Sequence, residues 1–137
     1  LPALRHALFL PILIDFLRAA WKGDRTATPE LRTLQAVEEQ LRTSFRDADA
    51  LAGALSLAPW DPAYTSKLFR KTFGETPKQH LIALRLAHAR ELLETGVSVK
   101  EAARESGFAD ELYFSRLFRK REGRPPTAHR SLWEKPV

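Results

Sequence analysis

YTSKLFRKTFGETPKQH (residues 64–80) and YFSRLFRKREGRPPTAH (residues 113–129) are two copies of one segment. At an offset of 49 they share nine identities in seventeen positions. The matched pairs are Tyr64/Tyr113, Ser66/Ser115, Leu68/Leu117, Phe69/Phe118, Arg70/Arg119, Lys71/Lys120, Gly74/Gly123, Pro77/Pro126 and His80/His129. Lys67 over Arg116 adds a conservative match. Two copies of one supersecondary unit are therefore expected. Cations recur together with the apolar positions, which favours duplication of a surface and not of a core alone.

Each copy reads as a helix that ends at a glycine, with Gly74 closing 63–73 and Gly123 closing 111–121. At about 100° per residue, Phe114, Leu117 and Phe118 fall on one arc, with Leu112, Ser115, Arg116 and Arg119 opposite. In the first copy Leu68, Phe69 and Phe73 form the inward arc, while Ala63, Ser66, Lys67 and Arg70 point away. Both free arcs set a long cation beside a small hydroxyl, the chemistry that reaches base edges and phosphates in a major groove. A short helix precedes each: 49–57, rich in Ala, and 99–106, followed by the turn residue Gly107. Helix, short turn and basic helix is the helix-turn-helix plan, and it occurs twice.

The rest of the chain is also helical in period, with no alternating strand pattern of useful length. Thr28 is placed to cap a helix opened by Pro29, with Leu31, Leu34, Val37 and Leu41 facing inward. Thr76-Pro77 starts a long helix to about Thr95, stopped by Gly96. Its eighteen or so residues form a rod of about 27 Å. Pro125-Pro126 opens a last helical turn. Near the start, Ile12, Leu13, Phe16, Leu17, Ala20 and Trp21 make a wide apolar stripe ahead of the polar stretch 22–28. The expected architecture is all-α: two homeodomain-like three-helix subdomains joined by a long linker helix. The first unit spans 29–76, the linker 77–96 and the second unit 97–130, within a region 29–137. Residues 1–28 are expected to connect to an N-terminal regulatory or dimerisation domain.

Composition excludes several classes. The chain has 137 residues, 44% hydrophobic and 28% charged, enough for one packed domain. It contains no cysteine, which removes disulfides, thiol nucleophiles and cysteine-based zinc sites. His6, His80, His88 and His129 lack metal-ligand spacing, and His88 with Glu91 has no third ligand in view. They are expected to pack or to face solvent, and no metal, cofactor or catalytic residue is expected. The apolar run Ala7–Ile14 is far short of the roughly 20 residues of a membrane span. Arg5 and His6 ahead of it look faintly like a signal peptide, but secretion is not expected, because Asp15 and Arg18 follow at once and no small-residue cleavage pattern appears. Residue 1 is Leu, so the chain is expected to be part of a longer one.

Net charge is +5, and it is clustered. Pro62–Lys78 carries +3 and Glu111–Arg130 carries +4, more together than the whole chain's excess. Such clustering is the footprint of a polyanionic partner. Solvated helix ends offsetting the macrodipole are the plainer account of the same residues.

The second unit resembles the DNA-binding domain of AraC/XylS-type bacterial transcription regulators. Val97-Ser98-Val99-Lys100-Glu101-Ala102-Ala103 with Ser106-Gly107-Phe108 is similar to that family's first helix and turn. Tyr113 to Lys120, then Gly123 and Pro126, resembles its signature tail. Leu84 to Leu93 is similar to its linker helix, and the likeness covers about residues 29–130. It implies recognition residues at Ala63, Ser66 and Lys67, and at Glu111, Leu112, Ser115 and Arg116. Arg70, Lys71, Arg119 and Lys120 are added by their charge and repeat. Two features depart from the family. Leu57 to Tyr64 is seven positions where the pattern has four, an insertion at Pro59-Trp60-Asp61 that bears on how the first recognition helix meets a groove. His80 and His129 stand where the family often has an aromatic residue.

The function this implies is sequence-specific binding of double-stranded DNA, with two recognition helices in successive major grooves, to regulate transcription in the bacterial cytoplasm. RNA polymerase is an expected partner. A small-molecule effector is expected only if a further N-terminal domain exists. Leu13, Phe16, Leu17 and Trp21 are the candidates for a homodimer contact. The alternative is a helical protein–protein interaction module without specific DNA binding. RNA is disfavoured, because the narrow A-form major groove excludes helices.

Overall fold

A computed structural model describes Ile14 and residues 27–131. The dimer candidates Leu13, Phe16, Leu17 and Trp21 lie outside the described residues. Among residues 27–131, seven helices follow one another: α1 (Pro29–Ser44), α2 (Ala50–Leu55), α3 (Pro62–Phe73), α4 (Pro77–Glu94), α5 (Val99–Glu105), α6 (Glu111–Glu122) and α7 (Pro126–Ser131). No strand occurs among the described residues.

Local chemistry sets most of these boundaries. The Thr28 hydroxyl accepts the Leu31 amide at 3.2 Å, with Pro29 in the first turn. Thr76 and Gln79 satisfy each other's backbone amides in a capping box at the start of α4. Ser98, Asp61 and Asp110 cap α5, α3 and α6. Gly74 and Gly123 end α3 and α6 in the left-handed region, at φ 84° and 78°.

Two apolar cores form. Leu34, Val37 and Leu41 of α1 pack with Ala50 and Ala54 of α2, Phe69 of α3 and Leu81 of α4. Leu86, Ala89 and Leu93 of α4 pack with Ala102 and Ala103 of α5, Phe108, and Phe114 and Phe118 of α6. Helix α4 thus serves both. Leu81 and Leu86, five residues apart, lie about 140° apart around its axis, so its two ends bury different faces. Phe69, Phe114 and Phe118 are wholly buried, each contributing about 1.5–3 kcal/mol of transfer free energy.

The turn between α2 and α3 differs from expectation. Helix α2 ends at Leu55, not Leu57, and α3 opens at Pro62. Beyond Leu55 the chain tightens, with the Leu57 and Ala58 amides bonding to carbonyls three residues back at 3.2 Å. That tightened turn carries helical spacing past the helix itself, which is why the period ran on to Leu57. The insertion expected at Pro59-Trp60-Asp61 is absent. Helices α2 and α5 begin 49 residues apart, as do α3 and α6, and 56–61 exceeds 106–110 only because α2 ends one residue sooner. Trp60 packs half-buried against the first core and edge-on to Tyr64. At the position equivalent to Phe114 the first unit has the smaller, buried Thr65, whose hydroxyl donates to the Asp61 carbonyl at 2.9 Å.

Candidate nucleic-acid interface

Helices α3 and α6 are the second helices of the two helix-turn-helix units. Their inward residues, Phe69 in α3 and Phe114 and Phe118 in α6, fix each helix by one face. The opposite face stays open. Ala63, Lys67, Arg70 and Lys71 of α3 are exposed, and Ser66 is half-buried beside them. On α6, Glu111, Leu112, Arg116, Arg119 and Lys120 are exposed and Ser115 is half-buried. Each sequence-derived recognition candidate therefore reaches the surface. Leu112 stands out at 73% exposed, an apolar side chain at the leading end of a cationic helix.

The caps shape this surface. The Asp61 carboxylate accepts the Tyr64 amide at 2.9 Å. Asp110 accepts from Leu112 and Tyr113 at 2.9 and 3.3 Å. Both carboxylates occupy the positive end of the helix, where an anion is favoured. In the last turns, Arg70 and Lys71 of α3 and Arg119, Lys120 and Arg121 of α6 face the negative end. Part of the clustered charge thus offsets the macrodipole and also remains open to a polyanion.

Of the two repeat histidines, His80 is buried and His129 half-buried. His80 lies edge-on to Phe69 and His129 edge-on to Phe118, so each imidazole takes an equivalent place in the repeat. His80 is 3% exposed; its Nδ1 is 2.8 Å from Glu75 Oε1 and its Nε2 3.2 Å from Glu38 Oε1. Glu38 is itself buried and also pairs with Arg42 at 3.1 Å. Burial pushes the His80 pKa down, but hydrogen bonds and charge from Glu38 and Glu75 outweigh it and hold the pKa above the ordinary histidine value. The bracket ties α1 to α4 beneath α3. Sequence reading missed it because Glu38 falls on the inward face of α1 among Leu34, Val37 and Leu41. A carboxylate on that stripe is the signal that a buried cation or imidazole must answer it.

Residues 57–131 match a family model described as a helix-turn-helix domain. A probable AraC family transcriptional regulator from Rhodopseudomonas palustris CGA009 has a similar fold, with a TM-score of 0.68 at 23% identity, covering 76% of this chain and 99% of that one. The chain belongs to the AraC-type helix-turn-helix transcription regulators. Among its relatives, the uncharacterized HTH-type transcriptional regulator YijO of Escherichia coli K12 is 34% identical over 122 residues, covering 82% of this chain and 42% of that protein. YidL of the same organism is 30% identical over 107 residues, covering 77% and 36%. The chain thus spans less than half the length of these relatives. The DNA-binding domain of AdpA, solved with a target DNA, is similar with a TM-score of 0.63 at 28% identity, covering 74% of this chain and 91% of that one. Among the described residues, no helix is long and apolar enough to cross a membrane.

Proposed function

We propose that this chain reads an asymmetric DNA site of about 20 base pairs, with α3 and α6 in successive major grooves about 34 Å apart. The observation that carries the reading is the paired open face: two repeat-related helices, each fixed by buried phenylalanine and each presenting a hydroxyl beside a cation. In this reading Ala63, Ser66 and Lys67 meet bases in one groove, and Glu111, Leu112, Ser115 and Arg116 in the next. Arg116 suits a guanine edge, Leu112 a thymine methyl and Glu111 a cytosine amino group. Arg70, Lys71, Arg119 and Lys120 neutralise phosphates. Similarity to a domain solved on DNA supports the same assignment.

The chain acts by binding, not catalysis, in the bacterial cytoplasm where the nucleoid lies. Regulation of transcription implies contact with RNA polymerase, by recruitment or by exclusion. Residues 29–76 and 97–130 are the two reading units and 77–96 their linker. Residues 1–28 join them to a regulatory region that pairs protomers through Leu13, Phe16, Leu17 and Trp21. Selection from random duplexes, followed by titration of cognate and scrambled sites, tests the DNA reading. Enrichment of one site with two conserved blocks is expected; no enrichment overturns it. Leu13→Asp with Leu17→Asp is expected to abolish dimers in sedimentation equilibrium while sparing monomeric DNA binding.

A further inference from the structure

The two reading units touch through their turns, and the contact is built from charged and hydrogen-bonded groups. Arg85, on α4 between the two cores, donates from Nε to the Phe45 carbonyl at 2.7 Å and from Nη2 to the Asp47 carbonyl at 2.8 Å. These carbonyls lie at and just beyond the C-terminus of α1, where a cation is favoured. The same guanidinium lies 6.0 Å over the Phe108 ring, in the helix-turn-helix turn of the second unit. Next to it, Arg46 donates from Nε to the Glu105 carbonyl and from Nη2 to Glu105 Oε2, both at 3.0 Å. Gly107 closes the contact. A Cβ there would lie 2.8 Å from Arg85 Nε, 3.0 Å from the Phe45 oxygen and 3.1 Å from the Arg46 oxygen. At Gly74, Gly96 and Gly123 a Cβ would meet nothing within 4 Å.

We propose that Arg85, Arg46, Glu105 and Gly107 form a clamp that fixes the separation and rotation of α3 relative to α6, and so sets which half-site spacing the chain accepts. The residues are positioning residues; none is among those assigned to DNA. The specificity half of the proposal rests on the two-groove reading above, whereas the mechanical half does not. Two units joined only by α4 could bend and twist about that single helix. A second point of attachment, between segments 59 residues apart in sequence, removes that freedom. Arg46 and Glu105 are both solvent-exposed, so their ion pair alone adds little stability. Arg46 also holds the Glu105 carbonyl, however, and a glutamate in its place would lose both bonds and repel Glu105. The half-buried Arg85 fork, holding two main-chain carbonyls with fixed geometry, carries more of the constraint.

The chain has no cysteine, so Lys71→Cys with Lys120→Cys places one spin label in the last turn of each recognition helix. In the free protein a single narrow interlabel distance is expected, and Arg85→Gln and Arg46→Glu should each widen it. On the selected duplex, each base pair added between the blocks rotates one by about 34–36°. The unaltered chain should then prefer one spacing by about tenfold, and either variant should cut that to about threefold. Arg46→Glu with Glu105→Arg should recover both the narrow distance and the spacing preference, a rescue that simple loss of stability cannot produce. Should Arg85→Gln not fold, Arg46→Glu changes only an exposed side chain and carries the test. Unchanged distance distributions in the variants overturn the clamp whatever the DNA result. Failure of the unaltered chain to enrich any duplex overturns the DNA reading instead, and the distance measurement still decides the clamp.

Discussion

Arg116 and Lys67 hold equivalent positions in the repeat yet differ in chemistry, because Arg presents a planar fork and Lys a single charged point. Arg116→Ala is expected to weaken binding to the cognate duplex by about 1–3 kcal/mol, and Lys67→Ala by less. Titration against a scrambled duplex checks the mechanism: equal loss on both would make Arg116 a phosphate contact. His80 gives a second test at this scale. Its folded pKa lies above its unfolded value of about 6.5, so its stabilisation is complete below that value and is lost as pH rises through the folded pKa. Urea midpoints should therefore fall across that window, and His80→Phe should remove this component of the slope. The glycines separate two demands. Gly123 and Gly107 both have positive φ, at 78° and 96°, but only Gly107 lacks room for a Cβ. Gly123→Asn should cost little, since Asn tolerates the left-handed region; Gly107→Asn should cost about 1–3 kcal/mol or more.

Helices here are set by their ends as much as by their faces, and the ends were the more legible part. Thr28-Pro29 and Thr76-Pro77 announced α1 and α4, and both caps are made as the sequence suggests; the Ser98 cap of α5 is added by the structure. Asp110 caps two amides of α6. Asp110→Ala is expected to cost about 1 kcal/mol, and Asp110→Asn, which keeps the acceptor, only a few tenths. Thermal unfolding of the two variants decides between loss of the cap and loss of charge. The open arcs of α3 and α6 were also legible, since a helix whose Phe residues fall on one side must expose the other. Three features were not. α2 stops two residues early because its last amides tighten to carbonyls three back, a choice that apolar spacing does not encode. Glu38 is buried because His80, 42 residues away, comes to meet it, and no local pattern carries a pairing of that range. Arg85 reads as a solvated charge on a long helix, whereas the fold directs it onto main-chain carbonyls of a different turn.

At the scale of the whole molecule, the question is whether both units engage DNA at once. The repeat supplies the means to ask it. Arg70 and Arg119 are equivalent by the 49-residue offset, both exposed, and both in the last turn of their helix. If each neutralises one phosphate, each contributes about 0.9 to the slope of log affinity against log salt, through the counterion it releases. Arg119→Ala should then flatten the slope by about 0.9, Arg70→Ala by the same amount, and the double variant by about 1.8, since sites this far apart act independently. The outcome depends on geometry, not on helix stability, because neither side chain is buried in a core. A chain that docks only α6 would lose slope with Arg119→Ala and keep it with Arg70→Ala. Operator scanning would then show one indifferent half, with substitutions opposite α3 tolerated. The turn at Pro59-Trp60-Asp61, where the second unit has Phe108-Ala109-Asp110, makes α3 the helix to watch. Trp60 anchors that turn to the first core, and the helix starts of the two units keep the same 49-residue offset, so the length of the turn does not tilt α3 away from the groove. Equal flattening by the two variants is the result expected of two helices held in register on one face of the duplex.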